Sequence, residues 1–524
     1  MTTAYWRAAQ GVPAFPRRLP RRSLSILLAA IGVMAIAGCQ TPRLEVRQVD
    51  LAIENVTVID PATRRVLPDH SVYVSGKAIV AVLPARNRRQ FKGKSVIDGT
   101  SHYLIPGLMD MHFHLFLPEP APPSLNLLLA NGVTGIREMS SDCWSIAGAV
   151  EGCVDDYRQL QSKIKAGDIA GPELLALTST MVMGPTRLTL PPTAPSYVTP
   201  ATEAEARTLL RYLATRGTDL IKTHDSIPTA AFRALMEEAN LRGMKVGGHI
   251  PFAAGSLGAT QMGYRSIEHA RDLLYDCSRY GSEFRRREAA FADRVADAQR
   301  PPALERLRRT VAEFDPSLCQ NLLKAVAATG AYYDPTHGTR EMEARADEPA
   351  YRNDPTRKYI LAERNDRWEA DLNETAALPT EQRQALRGFF LHGLRITGLT
   401  HRAGIPIMAG TDASDTMIVP GFSLHNELRL LRAAGLSNME VLRSATAVPA
   451  AYLNRSNELG GISAGKEADL VLLRHDPLRD IHNTSSIQTV IANGIVYSRT
   501  DLDVLLKEVE RLAAASRRRE SVRP

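Results

Sequence analysis

Cysteine is scarce: 524 residues contain five, and no two stand at the spacing of a structural zinc site, which argues against cysteine-held metal. A glycine-rich phosphate turn is missing too. An open doubly wound sheet would carry one after its first strand, and here that turn holds His112 and His114. Low-complexity tracts are absent, as is any repeat beyond an alternation of short apolar runs with amphipathic stretches. No basic stripe is interleaved with aromatics. Most of the formal charge of +7 comes from Arg7, Arg17, Arg18, Arg21 and Arg22, which lie before residue 39 with no acid among them. The footprint of a nucleic-acid partner is therefore lacking. What remains is ordinary for a globular chain, 44% hydrophobic and 23% charged, and long enough to bury a large core unaided.

The N-terminal apolar run, Leu24 to Ala37, follows two arginine pairs and is short for a bilayer span, the form of a secretory signal. It ends Ile36-Ala37-Gly38-Cys39, which resembles the bacterial lipoprotein signal, where cleavage leaves the cysteine N-terminal and lipid-modified. The resemblance implies a signal peptide over 1–38 and a membrane anchor at Cys39. With Gln40 following, it implies the periplasmic side of the outer membrane, or the cell surface. An uncleaved anchor is the alternative. Export means an oxidising compartment. Four further cysteines allow three pairings. Those nearest in sequence, Cys143–Cys153 and Cys277–Cys319, are the expected bridges, with four buried thiols as the alternative.

Residues 39–100 read as short β-branched strands, and the style returns over 451–500, where Asn493-Gly494 marks a hairpin turn. Both ends are expected to build one small β-sandwich, with a helical, basic tail over 501–524. Between them, residues 101–450 alternate apolar strands with amphipathic helices, the signature of a parallel α/β sheet. Eight strands are predicted: Tyr103–His112, Val133–Met139, Glu173–Thr178, Asp219–Thr223, Lys245–Ile250, Ser266–His269, Ala331–Pro335 and Pro406–Gly410. Eight βα units favour a (β/α)8 barrel. Gly184–Pro200 reads as a loop, and Ser278–Pro316 and Glu341–Arg387 as charged helical insertions.

On a strand, positions i and i+2 share a face, so His112 and His114 can hold one cation between two neutral imidazoles. Metal-competent residues recur where later strands end: Lys222, His249, His269 and Asp412. A barrel brings those ends together on its working face. Singly each has an ordinary reading, a solvated lysine, a surface histidine or a helix cap; together they form a pattern.

His-x-His, Lys, His, His and Asp in that order resemble the amidohydrolase superfamily in its two-metal, carboxylated-lysine form, and the resemblance runs from about Leu51 to Tyr497. Gly132-Val133-Thr134-Gly135-Ile136-Arg137-Glu138 and Gly461-Ile462-Ser463-Ala464-Gly465-Lys466-Glu467-Ala468-Asp469 support it. It implies two divalent cations, zinc first among the candidates. His112, His114 and Asp412 would hold one and His249 and His269 the other, with Lys222, carboxylated by carbon dioxide, bridging both. It further implies a water activated between the ions, Asp412 as general base then acid, and a small-molecule substrate. The chain looks closest to the prolidase and imidazolonepropionase-like branch, although Lys222 argues against imidazolonepropionase itself. Cleavage of amide or peptide-type C–N bonds in dipeptides or N-acyl amino acids is expected. Alternatives are an esterase or lactonase using the same site, and a non-catalytic metal-binding barrel. The chain departs from the family in two places: at Glu138, where relatives usually show aspartate, and in the Tyr332–His337 stretch. Arg137, Tyr333 and His337 are the candidate substrate contacts.

Overall fold

The computed structural model describes residues 46–115, 121–142, 153–184 and 197–520. The leader, Cys39, Cys143 and residues 185–196 of the predicted loop lie outside them. Among the described residues no helix is long and apolar enough to cross a membrane.

Five strands open the chain: β1 (Arg47–Asp60), β2 (Arg65–Ser75), β3 (Ala78–Pro84), β4 (Phe91–Asp98) and β5 (Tyr103–Pro106). β1 is long enough to serve two partners on one side. Its first half pairs in parallel with β4 and its second half with β5. The change falls at Asn55, whose φ of 58° interrupts the register with β2. Such a left-handed residue bends the strand, as a bulge does.

The middle of the chain is parallel. β6 (Leu108–Phe113), β7 (Val133–Glu138) and β8 (Glu173–Leu177) form one ladder. β9 (Met181–Val182), β10 (Tyr197–Val198), β11 (Leu220–Thr223), β12 (Lys245–Gly248), β13 (Ser266–Glu268) and β14 (Tyr332–Asp334) form a second, in the order β10-β9-β11-β12-β13-β14. Single parallel bridges connect them. Thr178 with Leu220 joins β8 to β11, and Tyr333 with Ile407 joins β14 to the following segment. That segment returns to β6 through Phe113 with Ala413 and a 2.9 Å bond from Met111 N–H to Ala409 O. Every residue of β6 and β7 is buried, as expected of parallel strands covered on both faces.

Two predicted strands differ. Tyr103–His112 is broken at Gly107, whose N–H goes to Asp469 O and whose Cα lies against the Thr134 side chain. The first part, β5, therefore joins the terminal sheet and only β6 enters the parallel set. Pro406–Gly410 forms bridges without a regular ladder.

β15 (Leu470–Leu473), β16 (Ile487–Ala492) and β17 (Ile495–Ser498) return to the first sheet, β15 pairing antiparallel with β5. Strands from both ends of the described chain thus pair into one connected eight-stranded path. Val56, Val72, Leu104, Leu470 and Ile491 form its apolar cluster.

The predicted insertions are helical, including Gly281–Ala292, Ala303–Ala312, Ala362–Ala376 and Thr380–Arg402. Cys277 and Cys319 are disulfide-bonded across the first insertion. Cys153 is disulfide-bonded as well; its expected partner lies outside the described residues. The basic tail is docked along much of its length. Arg499–Glu520 is a helix with Leu502, Val509 and Ala513 buried, and Arg517 donates to Ile360 O at 3.2 Å.

Candidate metal centre

All six predicted ligand residues lie at the C-terminal ends of the parallel segments. His112 is on β6 and His114 just beyond it. Lys222 is on β11, His249 and His269 follow β12 and β13, and Asp412 follows the bridging segment. His269 and Asp412 take φ of 68° and 64°, a left-handed conformation that costs about 1–3 kcal/mol in a non-glycine residue and recurs at working sites.

Asp412 is the hub. Its Oδ1 lies 3.4 Å from His112 Nε2 and 3.0 Å from His114 Nε2, and its Oδ2 lies 3.5 Å from His269 Nδ1. His112, His114 and Asp412 bring ligand atoms within 4.8 Å of one another. Lys222 Nζ is 3.5 Å from His114 Nε2. The rings of His112 and His269 are 4.8 Å apart between centroids, and those of His269 and His249 4.4 Å.

Two imidazoles are held from behind. His112 Nδ1 is 2.9 Å from Glu268 Oε2. Burial would raise Glu268, yet Arg137 and His112 hold it below its ordinary range. An ionised carboxylate only accepts, so His112 donates from Nδ1 and turns Nε2 to the centre. His269 Nδ1 is 2.7 Å from Thr336 Oγ1. The outward nitrogens, Nε2 of both rings, are buried with no hydrogen-bond partner. Orphaned imidazole nitrogens beside a carboxylate match the donor set of zinc, manganese, iron or cobalt, and the backing partners are those that orient metal-binding histidines.

The electrostatics agree. Burial, then Lys222, pushes His114 down to about 4. Burial pushes Lys222 below its ordinary value against the pull of Asp412 and Glu138. Burial would raise Asp412, but His112 and His269 hold it well below the usual carboxylate range. The site therefore disfavours the charged forms of His114 and Lys222 and keeps Asp412 a carboxylate.

The expected substrate contacts are placed elsewhere. Arg137 is wholly buried beneath the centre. It donates to Met111 O, to Ser266 Oγ at 3.1 Å and to Glu268 Oε2 at 2.8 Å, with Tyr452 against its guanidinium. Tyr333 and His337 are also fully buried, and His337 Nε2 lies 2.9 Å from Thr397 Oγ1 on the helix Thr380–Arg402. Tyr333 Oη and His337 Nδ1 are buried with no hydrogen-bond partner. Arg137 braces Glu268, and the other two pack toward that helix. Sequence reasoning missed Glu268 and Thr336 as backing groups. The available signal was an acid inside the apolar strand leading to His269. It also stopped at Lys222, one residue pair short of His224 and Asp225.

A family model described as the amidohydrolase family matches residues 103–496. Among solved structures, a bottromycin amidohydrolase superposes with a TM-score of 0.66 at 22% identity, over 88% of this chain and 90% of that one. A Xaa-Pro dipeptidase with bound methionine in its active site gives 0.57 at 19%, over 86% and 99%. An adenine deaminase from Chelativorans sp. strain BNC1 is 32% identical over 118 residues, 22% of this chain. The chain thus matches 20% of that curated relative's length.

Proposed function

The chain belongs to the amidohydrolase family, and from this we propose that it is a metal-dependent hydrolase of amide or peptide-type C–N bonds, with dipeptides or N-acyl amino acids as the substrate class. The eight parallel segments are read as a (β/α)8 barrel whose C-terminal end carries the chemistry. One observation carries the reading: His112 Nε2 and His114 Nε2 gather on Asp412 Oδ1, with Lys222 Nζ 3.5 Å from His114 Nε2.

Bound there, divalent cations would polarise the scissile carbonyl and lower the pKa of water. The chain's own residues do the rest. Glu268 keeps a proton on His112 Nδ1, and Thr336 steadies the direction of the His269 ring. Lys222, disfavoured as an ammonium, can add carbon dioxide and become an anionic carbamate between the two groups of histidines. Asp412, held as a carboxylate, accepts the proton of the attacking water and delivers it to the departing amine. The dipeptidase neighbour supports a C–N bond; the deaminase relative supports that bond class as well.

The test is a panel of dipeptides, N-acyl amino acids, simple esters and lactones, offered to metal-depleted protein before and after reloading with zinc or manganese. Metal-dependent cleavage of amides ahead of esters is expected. Ester or lactone turnover alone would replace the reading with its alternative.

Export and anchoring at Cys39 belong to the same proposal. The disulfide of Cys277 with Cys319 suits an oxidising compartment, and metabolic labelling with a fatty acid, lost in Cys39→Ala, tests it.

A further inference from the structure

β11 and β12 run side by side, with Thr223 paired to Gly248, and the next residue on each is a histidine. Gly248 has a φ of 120°, and a Cβ there would meet Thr223 O at 2.4 Å. The close approach stacks the His224 ring on that of His249, with centroids 3.9 Å apart. The His249 backbone is fixed as well. Its N–H donates to Thr223 O at 3.0 Å, and its carbonyl accepts from Thr223 Oγ1 and from Tyr264 Oη, each at 2.9 Å. These contacts set where the ring lies but not which of its nitrogens carries the proton.

Asp225 decides that. Its Oδ1 is in contact with His224 Nδ1 and lies 3.5 Å from His249 Nδ1. Its Oδ2 lies 3.4 Å from Arg271 Nη1. A guanidinium keeps its charge, and the carboxylate paired with it only accepts. A proton on each facing Nδ1 turns positive polarity toward the shared oxygen, whereas a lone pair on either would oppose it. His224 and His249 therefore both point a proton at Asp225 Oδ1, and His249 is left with Nε2 as its ligand atom.

Asp225 is in turn fixed from a helix outside the parallel strands. Arg271 donates from Nε to Asp272 Oδ2 at 3.3 Å and lies over the Phe252 ring. Asp272 Oδ1 accepts from Arg285 Nη1 at 3.0 Å, and Arg285 Nε donates to Asp276 Oδ1 at 2.8 Å. Arg285 belongs to the helix Gly281–Ala292 of the first insertion, inside the loop that Cys277 and Cys319 close. The pairs are largely buried, so removing one member strands the next. We propose that Asp225 is the positioning residue for His249, and that the chain Arg285–Asp272–Arg271–Asp225 carries the placement of the insertion helix to the metal centre. The inference rests on the metal-dependent reading above, in which His249 is a ligand, and it gives the insertion a part in ion affinity.

The test is a zinc competition titration of the metal-depleted, full-length protein, with melting curves to check that each variant folds. His249→Ala marks the ion in question as the one it loses. In Asp225→Asn the single remaining acceptor oxygen cannot serve the histidines and Arg271 together. That variant should weaken the marked ion by about 10–100-fold, the cost of losing an outer partner, and leave the ion held by His112 at parent affinity. Arg285→Met should weaken the marked ion too, and in combination with Asp225→Asn should add nothing further. Unchanged affinity for the marked ion in Asp225→Asn would overturn the inference and leave the metal-dependent reading standing, as would equal weakening of the ion held by His112. Effects of the two substitutions that add in full would overturn the route from Arg285. If Asp225→Asn does not fold, Arg285→Met decides alone, and unchanged affinity there overturns the inference. No ion lost in His249→Ala would overturn His249 as a ligand, and this inference with it.

Discussion

Two layers of the parallel sheet hold the same residue types and end in opposite states. Beneath the centre, Asp110 accepts from His112 N–H, Thr411 N–H and Thr411 Oγ1–H, and Arg137 spends its guanidinium on Met111 O, Ser266 and Glu268. One step toward the strand ends, His112 Nε2 and His269 Nε2 have no hydrogen-bond partner. A buried polar atom left unpaired costs free energy. The lower layer answers that cost within the chain, and the upper layer leaves it for a ligand. Asp334 is one exception below, with Tyr333 Oη and His337 Nδ1. Both Asp334 oxygens lack hydrogen bonds, and burial, then Glu268, pushes it well above the usual carboxylate range.

The largest expected effect lies in the upper layer. Asp412→Asn should lower kcat by about 10²–10⁴-fold, the range for loss of a general acid–base group, with the melting temperature nearly unchanged. A comparable loss of stability would instead put Asp412 among the framework residues.

Arg137→Leu should do the reverse. It strands Glu268 beneath the centre, and a broken buried pair costs about 3–5 kcal/mol. Denaturant unfolding would show this. A variant of parent stability that only raised KM would return Arg137 to the substrate contacts.

Glu268→Gln probes the seam between the layers. It should weaken the metal held by His112 by about 10–100-fold in a zinc competition titration; unchanged affinity would mean that the His112 tautomer is set without it. Smallest is Tyr333→Phe. Its hydroxyl is buried without a hydrogen-bond partner, so removing it should leave thermal stability nearly unchanged or slightly raised, and a several-fold rise in KM would make Tyr333 a substrate contact.

The upper layer was legible because its histidines, lysine and aspartate stand at strand ends. His112 with His114, and Asp412 after an apolar run, stand out by identity and period. The lower layer was not, since the same types satisfy one another across strands far apart in sequence. Arg137 and Glu268 meet across 131 residues, and nothing local says that a strand arginine faces inward. The partner of His337, Thr397, was hidden for a similar reason: it lies on a helix 60 residues further along the chain. His224 and Asp225 went unread because their meaning depends on the pairing of β11 with β12, which sets them beside His249. The break at Gly107 was hidden because Asp469, which receives its N–H, belongs to the other end of the chain.

The most direct test of the central claim is the metal stoichiometry of the full-length protein and of Lys222→Ala, by mass spectrometry after reloading with zinc and bicarbonate. The account predicts about two ions in the parent, falling to one or none in the variant. The same count in both, or no metal in either, would contradict it.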